Sequence, residues 1–334
     1  MIRINVNKIR NIPLLRREDN MFQMNLIKKL KTSHQIRVSE DYRFLCHSMD
    51  SKTIVYDFTN WEKIIELNKP NYPSHIRFSR NSEYLLIKST SGDIYVYNTA
   101  SNFQLVNRLQ SKKSFKLVEG DVNFTQDQSM ILSVVETGNG NQIGMINIYS
   151  GESIVLTDFK ELHNLIYYHQ YVDYKKIHLF TLSSVNNETG YRENKLVKVR
   201  EPINRESIEI VNHPDILVWD SVIFDTIHNV YIVVSDYGIT LLDSDFKTIL
   251  KKTYINDNNP VEGNIGYFRH LHQSGDGRFI VLTYSKSIVI LRYEDLKIIS
   301  IEQLPYASFA EFSHGDQYLL IGTWEHGYVL ENNL

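Results

Sequence analysis

The sequence predicts an all-β fold: a β-propeller of seven four-stranded antiparallel blades, with the ring closed by an N-terminal strand in the last blade. Three observations predict it. Two distant stretches, FSRNSEYLLIKSTSGDIYVYN (78–98) and FSHGDQYLLIGTWEHGYVLEN (312–332), write the same order of turn, apolar run, turn and alternating run. Seven units of this kind recur along the chain, and a fixed internal period is the mark of a repeat architecture. The composition, with 21 Tyr and 15 Phe against 7 Pro, suits strands rather than helices.

The units begin at Ile36 (IRVSEDYRFLCHS), Ile76 (IRFSRNSEYLLIKS), Val122 (VNFTQDQSMILSV), Tyr171 (YVDYKKIHLFTL), Val222 (VIFDTIHNVYIVVS), Leu271 (LHQSGDGRFIVLTY) and Ala310 (AEFSHGDQYLLIG). Each opens on an alternating segment such as Ile76 and Phe78, a strand with one less buried face. A polar turn follows, Arg80-Asn81-Ser82-Glu83 in the second unit. The continuous apolar run Tyr84-Leu85-Leu86-Ile87 then reads as a strand buried on both faces. A Gly- or Ser-bearing turn leads to a third strand (Ile94, Val96), and WEKIIEL (61–67), FQLVNRL (103–109), FKTILKK (246–252) and LKIISIEQL (296–304) read as fourth strands. Four strands per unit, seven times over, fit blades; a two-sheet sandwich needs no such repetition.

The last unit stops short, with only Asn332, Asn333 and Leu334 after its third strand. MNLIKKLK (24–31) resembles KTILKKTY (247–254) and is expected to supply the missing fourth strand of blade seven. Closure removes the open sheet edge that a linear array leaves. Residues 24–334 therefore read as one domain. Residues 1–23 read as an extension, basic at Arg3, Lys8, Arg10, Arg16 and Arg17.

The units resemble WD40 repeats over about residues 24–332. Ser74-His75 stands where that family has Gly-His, and Tyr97-Asn98 and Tyr56-Asp57 stand where it has Trp-Asp. Asp50 matches the turn Asp that the family bonds to its His, and Gly275-Asp276-Gly277 fits its first turn. No unit keeps the whole set, and no Trp occupies the Trp-Asp position, so the resemblance is to a divergent WD40-like propeller. It implies an interaction platform rather than an activity, since fold alone does not give function.

Composition narrows the rest. A net charge of −3, from 36 basic and 39 acidic residues, leaves no footprint for binding nucleic acid. Cys46 is the only cysteine, so no intramolecular disulfide and no Cys-based zinc site can form. The first residues lack a signal-peptide apolar run, and no stretch has the length of a membrane span. These features predict a soluble, cytoplasmic protein with no membrane partner.

Catalytic patterns are absent from the sequence. There is no G-x-S-x-G, Cys46 lies within an apolar run, and GNGNQIG (138–144) sits between two strands rather than before a helix. His270 and His272, two apart, share one side of a strand, but no further residue has metal-ligand spacing. A hydrogen bond at a blade junction is the expected role of His270. Asp220, Asp225 and Asp243 cannot be matched into a carboxylate pair from sequence. No catalytic residue, metal or cofactor is therefore expected.

Function is expected in the loops of one face, where the second-to-third-strand turns and the inter-blade connections meet. Those segments carry Tyr72, Phe115, Trp219, Tyr267, Phe268, Tyr306, Trp324 and His326, and Trp and Tyr are among the residues that dominate binding hot spots. The competing role for each is packing between blades. Two long excursions, 183–195 and 255–270, are further candidates. The expected function is a non-enzymatic platform, monomeric by itself, that binds another protein through one face or the central funnel. The alternatives are a hydrolase or lyase with convergent carboxylates and histidines in the channel, or a small-molecule sensor.

Overall fold

The computed structural model describes residues 24–31, 34–160, 164–186, 188–235, 238–255 and 265–334. The extension 1–23 and most of the tip of the 255–270 excursion lie outside the described residues. The strands form seven separate four-stranded antiparallel sheets. Blades 1 to 6 span residues 36–67, 73–109, 116–155, 165–211, 221–254 and 268–303, and blade 7 spans 307–331 together with Leu26–Lys31. The first strand of each blade packs against that of the next, and Ile36–Val38 packs back on blade 7, so the ring is closed.

Closure takes the predicted form. Leu26–Lys31 runs antiparallel to His326–Glu331, with Leu30 opposite Gly327 and the Glu331 amide bonded to the Asn25 carbonyl. Leu30 is buried against Ile36, Leu45 and Phe309, which joins the N-terminal strand to blades 1 and 7 together. Burying one such side chain is worth roughly 1.5–3 kcal/mol.

The continuous apolar runs are buried on both faces because the core lies between blades rather than within one. Leu86 and Val96 of blade 2 pack with Ile131 and Ile146 of blade 3. Ile232 and Ile239 of blade 5 pack with Leu282 and Val289 of blade 6. Cys46 is part of this core, and burial pushes its thiol well above the usual range.

The turn between first and second strands repeats in chemistry as well as place. Ser39, Ser79 and Ser274 donate to Asp41, Asn81 and Asp276 two residues on, and accept from the backbone N–H five residues on. Every such turn includes a residue of positive φ: Tyr42, Ser82, Gln128, Lys176, Asn229, Gly277, and Gly315 with Asp316. Most are not glycine, and their side chains have a use. Ser82, Gln128 and Asp316 accept hydrogen bonds from backbone N–H groups of the preceding blade's turn. These turns also correct the frame of two units. The positive-φ residues Lys176 and Asn229 equate Gln170 and Ile223, not Tyr171 and Val222, with Ile36. Blades 4 and 5 lack the Ser/Thr-x-Asp/Asn turn that marks the frame in blades 1, 2, 3 and 6.

Candidate functional site

With the frame set, one position of every first strand faces the axis of the ring. Arg37, Arg77, Asn123, Tyr171, Phe224, His272 and Glu311 occupy it in blades 1 to 7, and all seven line one cavity of about 400 Å³. The cavity wall continues to Glu40, Arg80, Thr226 and Gly275, which belong to the first turns. The mouth is therefore on the face of those turns.

Blade 3 is built differently here. Leu117 pairs with Val135 and Val122 with Ser133, so residues 118–121 stand opposite Val134 alone. Blades 2, 4, 6 and 7 carry a single extra residue in their first strands. Gly120, at φ +122°, allows the longer excursion with a backbone that L side chains rarely adopt. The excursion delivers Asp121 into the cavity wall. Bulges commonly re-aim side chains in this way.

The charged groups join different blades. Glu311 is ion-paired with Arg37, and His270 Nε2 lies 2.8 Å from Glu311 Oε1, joining blades 1, 7 and 6. Burial alone would raise the Glu311 carboxyl, but Arg37 and the His270 hydrogen bond hold it well below the usual carboxylate range. Arg80 pairs with Asp173 near the mouth and lies 4.6 Å from the centre of the Tyr171 ring. His75 Nε2 is 3.5 Å from Asp121. Burial opposes the Asp121 charge, yet His75, Arg77 and Arg37 together keep its carboxyl below the usual value. Burial lowers His75, His169 and His272 to about 4, so these three rings are neutral near pH 7. Behind this wall Lys88 is fully buried, donates to Ser133 Oγ at 2.9 Å, and is lowered by burial to about 8.

The sequence candidates fall into two groups. Tyr72, Tyr267, Tyr306 and Trp324 are exposed, at 64, 61, 60 and 59%. Phe115 and Trp219 are buried, at 6 and 4%, and act as packing. Trp219 also donates from Nε1 to Thr181 Oγ1 at 2.8 Å, and Thr181 in turn bonds His169 Nε2 at 2.7 Å. It thereby orients a ring in the channel wall. Phe268 and His326 are half-buried, against Tyr284 and Tyr328. Asp225 is buried and bonded to His228 and Gln273.

The exposed aromatics form a rim at the opposite end of the first strands from the cavity mouth. Tyr72, Tyr267 and Tyr306 immediately precede the first strands of blades 2, 6 and 7. Each carbonyl accepts from a backbone N–H eighteen residues on, at Thr90, Ser285 and Trp324. His34 lies between blades 7 and 2: its ring stacks on Trp324 with centroids 5.9 Å apart, and it bonds the backbone of Pro73 beside Tyr72. The rim thus runs over blades 6, 7, 1 and 2.

Of the channel residues only His270 and His272 were singled out from sequence, and His270 makes the expected blade-junction bond, to Glu311; for the others a signal was present. Arg37, Arg77, Asn123, His272 and Glu311 each stand one residue after the apolar anchor, a polar group repeated within otherwise buried strands. Among the described residues no group of three or more His, Cys, Asp and Glu is arranged to hold a metal ion, and no helix is long and apolar enough to cross a membrane. No protein-family model matches the chain, and no curated protein matches it.

Proposed function

We propose that the protein is a non-enzymatic, WD40-like platform that binds another protein through the aromatic rim. It acts as a cytoplasmic monomer, with neither nucleic acid nor membrane as partner. The observation that carries this reading is the recurrence of an exposed tyrosine at one backbone position of blades 2, 6 and 7, joined by Trp324. Large exposed aromatic groups are costly to leave in water and are the residues interfaces favour. The backbone bond beneath each tyrosine fixes it on a rigid scaffold, which limits the ordering cost of binding.

The test is a comparison of baits in extract of the native host. The wild-type chain is set against a variant with Tyr72, Tyr267, Tyr306 and Trp324 all changed to Ala. Loss of a specifically captured protein by about tenfold or more supports the rim. Equal capture by both baits overturns it.

A further inference from the structure

The rim does not account for a channel lined with buried charge. Most of the polar groups in its wall are already partnered. Glu311 is held by Arg37 and His270, and Arg80 by Asp173. Asn123 donates to Tyr168 and accepts from the Phe124 amide. Gln170 is occupied by the Phe224 backbone.

Two opposite charges on adjacent blades differ. Arg77 Nε is buried without a hydrogen-bond partner among the described residues, and Arg77 acts on Asp121 only through its field. Asp121 has its nearest ionic neighbour, His75, at 3.5 Å, and its side chain is still 36% exposed. That neighbour is a neutral ring at pH 7, not a counter-ion. Both residues line the cavity, and the three-residue excursion of blade 3 is what brings Asp121 there.

We propose that the channel binds a small zwitterion of the α-amino-acid class, its carboxylate on Arg77 and its ammonium on Asp121. A guanidinium offers a carboxylate two parallel donors, and Asp121 accepts from an ammonium. The overall charge favours a ligand of no net charge. Arg37, Arg77 and Arg80 face Glu40, Asp121, Asp173 and Glu311 in the same wall, so a polyanion finds no excess of positive charge. Phe124, Ile223 and Leu271 supply apolar wall for a side chain, which favours large apolar amino acids over charged ones. A cavity of about 400 Å³ is in the range of small-molecule sites.

Calorimetry and thermal melting of the full chain decide it, with L-leucine and L-phenylalanine as probes. Acetate, methylamine and inorganic phosphate serve as the separate halves and the competing anion. At least one amino acid should give saturable heat and raise the melting temperature, with each half-molecule and phosphate about tenfold weaker or more. Arg77→Gln and Asp121→Asn should each weaken amino-acid binding at least about tenfold. Where one variant does not fold, the other decides. The four-alanine rim variant should bind the amino acid as wild type does, which separates this site from the platform reading. The proposal is overturned if neither amino acid binds up to about 10 mM, if phosphate binds as tightly as the amino acid, or if a folded variant retains full affinity.

Discussion

At the rim, Tyr72, Tyr267 and Tyr306 fill one backbone position of three blades with the same exposed side chain. In the channel, Arg37, Arg77, Asn123, Tyr171, Phe224, His272 and Glu311 fill one position of seven blades with five kinds of chemistry: cationic, amide, aromatic, imidazole and acidic. The backbone ladder is indifferent to side chains, so both patterns fit the same strand. What differs is the surroundings. A rim residue meets water and needs no partner from another blade. A channel residue meets side chains from its neighbours, so most charges placed there are matched across blades, and Arg77 and Asp121 are the pair left without a direct partner among the described residues. The rim therefore suits a broad, uniform contact, and the channel a ligand with a definite arrangement of charge.

The largest effect should come from the ring that both regions share. Deleting residues 1–31 removes the fourth strand of blade 7 and opens a sheet edge, and should yield an unfolded or aggregated chain. A truncated chain that stays monomeric with unchanged melting would refute the closure.

Next, two tryptophans separate interior from rim. Trp219→Ala should cost about 3–5 kcal/mol in a denaturant titration, since it empties core and removes the indole N–H that donates to Thr181. Trp324→Ala should change stability by no more than about 0.5 kcal/mol while weakening partner capture. Equal destabilisation by both would erase the distinction.

Within the channel, Glu311→Gln leaves Arg37 buried without its counter-charge and should cost about 3 kcal/mol. Replacing both residues with leucine should cost less than the single change, and a double-mutant cycle measures the difference.

Stability should also depend on pH through three histidines in and beside the channel wall. His75, His169 and His272 have folded values of about 4, below their ordinary 6.5, so the unfolded chain binds more protons between those limits. Their contribution is full above pH 6.5 and falls as pH drops towards 4, by up to about 1.4 kcal/mol per pH unit for each ring. Denaturant midpoints across that window should fall steeply for the wild type and less so for His272→Gln. Smallest of all, Tyr72→Ala and Tyr306→Ala should each leave the midpoint within about 0.5 kcal/mol.

Much of the fold was legible because it is local or periodic. The apolar run Tyr84-Leu85-Leu86-Ile87 becomes a middle strand and 24–31 the closing strand, whereas GNGNQIG, read as a long hairpin tip, forms a two-residue turn at Gly138-Asn139 and is otherwise paired strand. The frames of blades 4 and 5 were misread by one residue where the Ser-x-Asp turn is missing. The exposed tyrosines were legible as loop aromatics, and Trp219 stands apart locally only by lying close to a strand start, while nothing local separates Trp324 from Phe115. Their burial depends on which neighbouring blade lies above them. Asp121 was hidden for a similar reason, since an excursion in one strand is visible only against its partner's register.

By itself the sequence determined the seven-fold repeat, the order of strands within a blade, the closing strand and the presence of aromatics in the loops of one face. These follow from the spacing of apolar residues and turn formers, which act over a few residues. Only the tertiary structure decided which side chains meet in the channel. Arg37 and Glu311 are 274 residues apart and touch because the ring closes. Arg77 and Asp121 face one cavity because adjacent blades bring their first strands together around it. Contacts between distant segments depend on how the blades pack, which no local spacing encodes.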